Sequence, residues 1–123
     1  MFSITKDFAF SAAHHLEGLH PGHQCGRDHG HNYQVRVQLI APLLDAHGFV
    51  LDYGELGPFS RWLDATLDHR DLNQVWPEIG NPTAELLARE LAAVVIKTCQ
   101  IPDTINVSVG VSETPKTWAW WIP

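Results

Sequence analysis

Between His23 and Tyr33 the chain reads His-Gln-Cys-Gly-Arg-Asp-His-Gly-His-Asn-Tyr, which crowds a thiol and several imidazoles into one short run. Alternate side chains of a β-strand share a face, so His29 and His31 would project together with Gly30 between them. Two imidazoles on one face make half of a zinc site. The residues that follow identify the face. Tyr33, Val35, Val37 and Leu39 are apolar at odd positions, and Asn32, Gln34, Arg36 and Gln38 are polar at even ones. Both histidines have the odd parity and should point inward, where an unpaired polar ring costs free energy unless it is hydrogen-bonded or bound to a metal.

The N-terminal segment offers a third ligand. Phe2, Ile4, Phe8, Phe10, Ala12 and Leu16 are apolar at even positions, and His14 belongs to that series. His15 has the opposite parity and is expected to face solvent or to support the site from outside. Three histidines that leave a fourth position open are the pattern of catalytic zinc, although iron, nickel and copper also accept imidazole. Cys25 could close the site as a fourth ligand or stand beside it as a free thiol. Structural zinc usually draws on two or more cysteines at short spacing, and the other cysteine, Cys99, lies far off in an expected helix.

The elements that must position these groups follow from periodicity. A first strand is expected over about Phe2–His14, then a loop from Glu17 to Gly26 rich in His, Gly and Pro, then a second strand over about His31–Ile40. Residues 41–48 read as a hairpin connection that returns as a short third strand over Phe49–Asp52. Leu56, Phe59, Trp62, Leu63 and Leu67 recur at helical steps from a start near Gly54, with Asp68 and His69 at the end. A second helix is expected from an N-cap at Thr83 to about Thr98, with Ala84, Leu87, Ala88, Leu91, Val94 and Val95 as its apolar face. Ile105, Val107, Val109 and Val111 alternate with polar or small residues in a last strand. Glu113 continues that odd series, where it is either solvated beyond the strand end or paired with a partner. The pattern predicts an α+β fold, an antiparallel sheet with two helices packed on one face.

Five segments, Phe10-Ser11-Ala12-Ala13-His14, Cys25 to Tyr33, Leu67-Asp68-His69-Arg70-Asp71-Leu72-Asn73, Asn81-Pro82-Thr83-Ala84-Glu85 and Ser112-Glu113-Thr114-Pro115, together resemble the motifs of the 6-pyruvoyltetrahydropterin synthase family. The short Cys-x-x-x-His-Gly-His spacing is most similar to the bacterial branch, 6-carboxytetrahydropterin synthase. The resemblance implies a zinc-dependent lyase acting on 7,8-dihydroneopterin triphosphate, with Zn2+ on His14, His29 and His31. It further implies Cys25 as a base, with Asp68 and His69 as a proton relay, although a helix-ending cap would otherwise account for His69. Glu113 would anchor the pterin ring through its 2-amino and N3 groups, and the backbone of Thr83, Ala84 and Glu85 would line the pocket. In the bacterial branch the products are 6-carboxytetrahydropterin, acetaldehyde and triphosphate, on the route to 7-deazaguanines such as queuosine. The pyruvoyl branch keeps the side chain, and a non-catalytic zinc or pterin-binding module is the third possibility. The resemblance also implies a tunnelling fold that joins subunits into an oligomeric barrel, here a homo-oligomer expected to be a dimer of trimers.

Composition frames these expectations. Residues 1–123 are expected to form one domain. The formal net charge of -6, with 8 Lys and Arg against 14 Asp and Glu, argues against nucleic acid as a partner. A triphosphate substrate therefore needs a local basic patch, for which Arg27, Lys6, Arg36, Arg70 and Lys116 are the candidates. No apolar run is long enough for a membrane span, no signal peptide is evident, and the cysteine usage fits a reducing compartment, so a cytoplasmic location is expected. The closing aromatic run Trp118–Trp121 is expected to serve core or subunit contact.

Overall fold

The computed structural model describes residues 1–123. Two strands of 13 residues each, β1 (Phe2–His14) and β2 (His29–Ala41), pair antiparallel from Phe2 opposite Ala41 to His14 opposite His29. The alternation of side chains determines which residues are inside. Phe8, Phe10, Ala12 and His14 from β1 and Tyr33, Val35, Val37 and Leu39 from β2 are buried on one face, while Ala9, Asn32 and Gln34 on the other are exposed. β2 begins two residues earlier than expected, because His29 and Gly30 are already in the ladder.

Two helices cover the apolar face. α1 (Gly57–Thr66) follows a 3-10 turn over Tyr53–Leu56 that Asp52 caps by accepting the Gly54 N–H. Phe59 and Leu63 face inward, and Phe59 meets Phe8 edge-on at 5.0 Å between ring centroids. After it come β3 (Arg70–Asp71) and a single turn, α2 (Leu72–Val75), whose cap is Asp71. α3 (Ala84–Cys99) starts where the Thr83 hydroxyl accepts the Leu86 N–H at 3.2 Å. It buries Leu87, Ala88, Leu91, Ala92 and Val95 and stops at Gln100, which is left-handed at φ 51°. Truncating a fully buried leucine such as Leu91 to alanine would cost about 2–5 kcal/mol through lost transfer energy and the cavity left behind.

β4 (Asn106–Ser112) pairs antiparallel with β2, and β5 (Ala119–Trp121) pairs with β4, giving the order β3-β1-β2-β4-β5. The expected α+β arrangement with helices on one face is present, with three differences. The third strand over Phe49–Asp52 does not form. The Asp45 carboxylate accepts the N–H groups of His47 and Phe49 at 2.8 and 2.9 Å, and the Phe49 carbonyl accepts the Asp45 N–H at 2.8 Å, so local bonds close a loop instead. The sheet is not wholly antiparallel, because β3 runs parallel to β1 at Ala12 and Ala13. The aromatic run near the C-terminus supplies a strand, β5. No helix is long and apolar enough to cross a membrane.

Candidate metal centre and the cavity beside it

The β1–β2 register builds the metal cluster. His14 and His29 are directly opposite each other across the pair and His31 stands opposite Ala12, so all three rings meet at one end of the sheet. One nitrogen from each falls within 4.8 Å of the others. The Nε2 atoms of His14 and His29 are 3.0 Å apart.

Two backbone carbonyls set the tautomers. His14 Nδ1 donates to the Pro82 carbonyl at 2.8 Å and His29 Nδ1 donates to the Arg27 carbonyl at 2.6 Å. A carbonyl only accepts, so both protons sit on Nδ1 and both Nε2 atoms present lone pairs to one another. Facing lone pairs at this distance repel unless a cation lies between them, and a carbonyl behind the ring is the usual support for a metal-binding histidine. His31 Nε2 is buried without a hydrogen-bond partner, 3.7 Å from Glu113 Oε2. Burial pushes the imidazoles of His14 and His31 below their ordinary value of 6.5, so both are neutral at neutral pH, the form that binds metal. The residues fit the zinc expected from the sequence.

Cys25 lies in a 3-10 turn over Gln24–Gly26, in the loop between β1 and β2. It is half-buried and free. Its carbonyl accepts the Leu16 N–H at 2.8 Å and its N–H donates to His23 Nδ1 at 3.0 Å. The group of potential ligands comprises the three histidines and no sulfur.

Asp68 and His69 stand against β1. Asp68 Oδ1 accepts the Ser11 N–H at 2.8 Å, its other oxygen is 2.9 Å from His69 Nδ1, and the His69 N–H donates to the Ser11 carbonyl at 2.6 Å. The Ser11 amide first, and His69 second, hold the Asp68 carboxyl below its ordinary 3.8. His69 closes the turn that ends α1, left-handed at φ 60° as a helix-ending residue often is, and its side chain is 82% exposed. His69 and Arg70 line a cavity of about 490 Å³ with Ser11, Ala13, Gly30 and Asn32.

A second cavity, of about 470 Å³, gathers every other residue implicated in pterin binding except Arg27. Thr83, Ala84 and Glu85 contribute the start of α3, and Glu113 reaches in just past β4. Val111 and Ala119 from β4 and β5 line it too, and Leu16, Thr117 and Trp118 complete the wall. Periodicity did not single out these last three as site residues, because no regular element carries them. Trp118 was expected in core or subunit contact; here it lines the cavity and carries the Arg36 guanidinium over its ring at 4.7 Å. Glu113 is 28% exposed by its side chain and touches both the cavity and His31, so it does not sit free in solvent.

Two of the five expected cations are engaged elsewhere. Arg36 is engaged by Asp7 at 2.8 and 3.0 Å, and Lys6 lies over the Phe8 ring and reaches the Tyr53 carbonyl at 3.5 Å. Arg27, Arg70 and Lys116 are exposed, and the contribution of Arg27 to the cluster is the carbonyl behind His29. His15 faces outward between Asp28 and Glu17, at 3.0 and 3.3 Å, as its parity implied.

Residues 3–122 match the model of a family described as 6-pyruvoyl tetrahydropterin synthase. A 6-carboxy-5,6,7,8-tetrahydropterin synthase of Bacillus subtilis is 31% identical over 99% of this chain and 86% of its own length. A probable 6-carboxy-5,6,7,8-tetrahydropterin synthase of Halobacterium salinarum is 33% identical over 89% of this chain and 79% of its own. Among solved structures, 6-pyruvoyl tetrahydropterin synthase of Caenorhabditis elegans superposes with a TM-score of 0.86 at 26% identity, covering 99% of this chain and 95% of that one.

Proposed function

The chain belongs to the 6-pyruvoyl tetrahydropterin synthase family, and from that premise we propose that it is a zinc-dependent lyase converting 7,8-dihydroneopterin triphosphate to 6-carboxy-5,6,7,8-tetrahydropterin, with release of acetaldehyde and triphosphate. The observation that carries the proposal is the contact between two sites. Three histidine nitrogens within 4.8 Å of one another adjoin a cavity whose carboxylate, Glu113, stands 3.7 Å from one of them. The names of the bacterial and archaeal relatives support the carboxy product. The likeness to the Caenorhabditis elegans enzyme favours the pyruvoyl synthase as the second reading.

In this reading Glu113 accepts hydrogen bonds from the donor edge of the pterin, and the backbone of Thr83, Ala84 and Glu85 at the α3 N-terminus forms the opposite wall. The dihydropterin side chain then extends toward His14, His29 and His31. When bound there, zinc supplies a Lewis acid that polarises side-chain oxygens of the substrate. Cys25 takes a proton from the side chain, and the Asp68–His69 pair passes protons to and from it. Arg27 helps to hold the triphosphate. His69 is exposed and bonded to Asp68 with no bond to Cys25, which suits a homo-oligomer whose subunits share sites. A dimer of trimers in the cytoplasm, serving 7-deazaguanine synthesis, completes the proposal.

Cys25→Ala tests the assignment. The variant is expected to keep zinc and bind pterin while turnover falls by about two to four orders of magnitude, the range for removing a general acid or base. A variant that loses its metal would make Cys25 a ligand, and one that turns over at the parent rate would remove it from the reaction.

A further inference from the structure

β1 stops at His14, yet the backbone of His15, Leu16 and Glu17 is still bonded on both sides. On the inner edge the Leu16 N–H donates to the Cys25 carbonyl at 2.8 Å. On the outer edge no strand is present, and two asparagine side chains take its place. Asn73 Oδ1 accepts the His15 N–H at 2.9 Å while its Nδ2 donates to the His15 carbonyl at 3.1 Å. Asn81 repeats the pattern one pleat further on, accepting the Glu17 N–H at 2.8 Å and donating to the Glu17 carbonyl at 3.1 Å.

Residues two apart in a strand turn their N–H and C=O to the same edge, so the two carboxamides continue the edge that β3 begins at Ala12 and Ala13. A primary amide, like a peptide, offers an N–H donor and a C=O acceptor in one plane. Aspartate at either position would keep the acceptor and lose the donor, and alanine would lose both.

Each asparagine comes from a segment that carries part of the site. Asn73 is four residues beyond His69, and Asn81 is two before Thr83. The strand they hold contains Leu16, which lines the cavity with Glu113 and whose N–H holds Cys25 by its carbonyl. We propose that Asn73 and Asn81 are positioning residues, a pair of strand surrogates that lock the Asp68–His69 segment and the Thr83–Glu85 wall to the strand on which Cys25 is hung. The proposal rests on the reading of Cys25 as the base, and its consequence is specific. Releasing either carboxamide lets the Leu16–Cys25 contact drift while His14, held by β2 and by the Pro82 carbonyl, stays in the cluster.

The test uses the full-length zinc-loaded protein with Asn73→Ala, Asn81→Ala and the near-isosteric Asn73→Asp and Asn81→Asp. Zinc content, melting temperature, kcat, KM and the rate of Cys25 alkylation by iodoacetamide, followed by peptide mass spectrometry, are measured for each. The expected result is a tenfold or greater fall in kcat with KM within about threefold, and an alkylation rate changed at least fivefold, in variants that keep zinc and melt cooperatively. Parent values of kcat and alkylation in the alanine variants would overturn the proposal. Loss of cooperative folding in all four would also overturn it, because the carboxamides would then support the fold as a whole. A parent protein that fails to turn over dihydroneopterin triphosphate would refute the proposed reaction, while the alkylation rates would still report on the clamp.

Discussion

The facing lone pairs of His14 and His29 tie the chemistry to single atoms. Their Nδ1 protons are fixed on the carbonyls of Pro82 and Arg27, so nothing of their own can fill the 3.0 Å between the Nε2 atoms favourably except a cation. The parent is expected to carry about one zinc per chain, and His29→Ala and His31→Ala are expected to lose most of it, as read by elemental analysis of purified protein. Full occupancy in both would remove these residues from the site. Glu113 sits where a charge-assisted hydrogen bond to a bound ring is most valuable, and such bonds contribute about 1.5–3 kcal/mol each. Glu113→Ala should weaken binding of a pterin ligand tenfold or more in a calorimetric titration with little change in melting temperature. Unchanged affinity would mean that the carboxylate serves only the metal side of the cavity.

At the scale of elements, the long periodic segments could be read directly and the short ones could not. β1 runs from Phe2 to His14 as expected, and α3 begins just after Thr83 because a threonine hydroxyl and an apolar stripe agree about where the helix starts. The segment Phe49–Asp52 looked like a strand because Phe49, Val50 and Leu51 are apolar, but Asp45 draws that backbone into a closed loop. β3, α2 and β5 are 2, 4 and 3 residues long, too short for any periodicity to register, and β3 follows directly on the docking of Asp68 and His69 against Ser11. For the same reason the three histidines could be found by parity within the strands, whereas Leu16, Thr117 and Trp118, outside regular elements, could not.

β5 itself gives a test at this scale. A Cβ on Gly110 would meet the Trp120 ring at 2.6 Å, so Gly110→Ala must displace that ring, which packs across the β4–β5 pair. Overpacking of this kind costs about 1–3 kcal/mol, and thermal melting should register it. An unchanged melting temperature would show that Trp120 moves aside freely. The docking of Asp68 on Ser11 should appear in acid. Its folded-state carboxyl titrates below 3.8, so the stability it contributes is whole above that value and is lost as pH falls through the depressed one. Asp68→Asn is expected to flatten the acid limb of the stability profile below pH 3.8, and superimposable acid limbs would contradict this.

At the scale of the whole molecule, the sheet stops at short strands on both sides. β3 pairs with β1 only at Ala12 and Ala13, with Asp68 and His69 bonded to Ser11 beside it, so no strand pairs with the outer edge of β1 from Phe2 to Phe10, and β5 ends the other side with Trp118, Trp120 and Trp121 partly exposed. Open edges flanked by apolar side chains invite pairing with further strands. This agrees with the proposed homo-oligomer, and light scattering should give a mass several times the 13.8 kDa of one chain. A monomer that is fully active would contradict the sharing of sites between subunits. With a net charge of -6, the triphosphate of the proposed substrate would be met by few cations, of which Arg27 and Arg70 are exposed. The central claim is the reaction itself, and the most direct measurement is the acetaldehyde released when the zinc-loaded protein is given 7,8-dihydroneopterin triphosphate. The account predicts one equivalent of acetaldehyde for each equivalent of 6-carboxytetrahydropterin formed. Turnover that yields a pyruvoyl pterin without acetaldehyde, or no turnover by metal-loaded protein that binds the pterin, would contradict it.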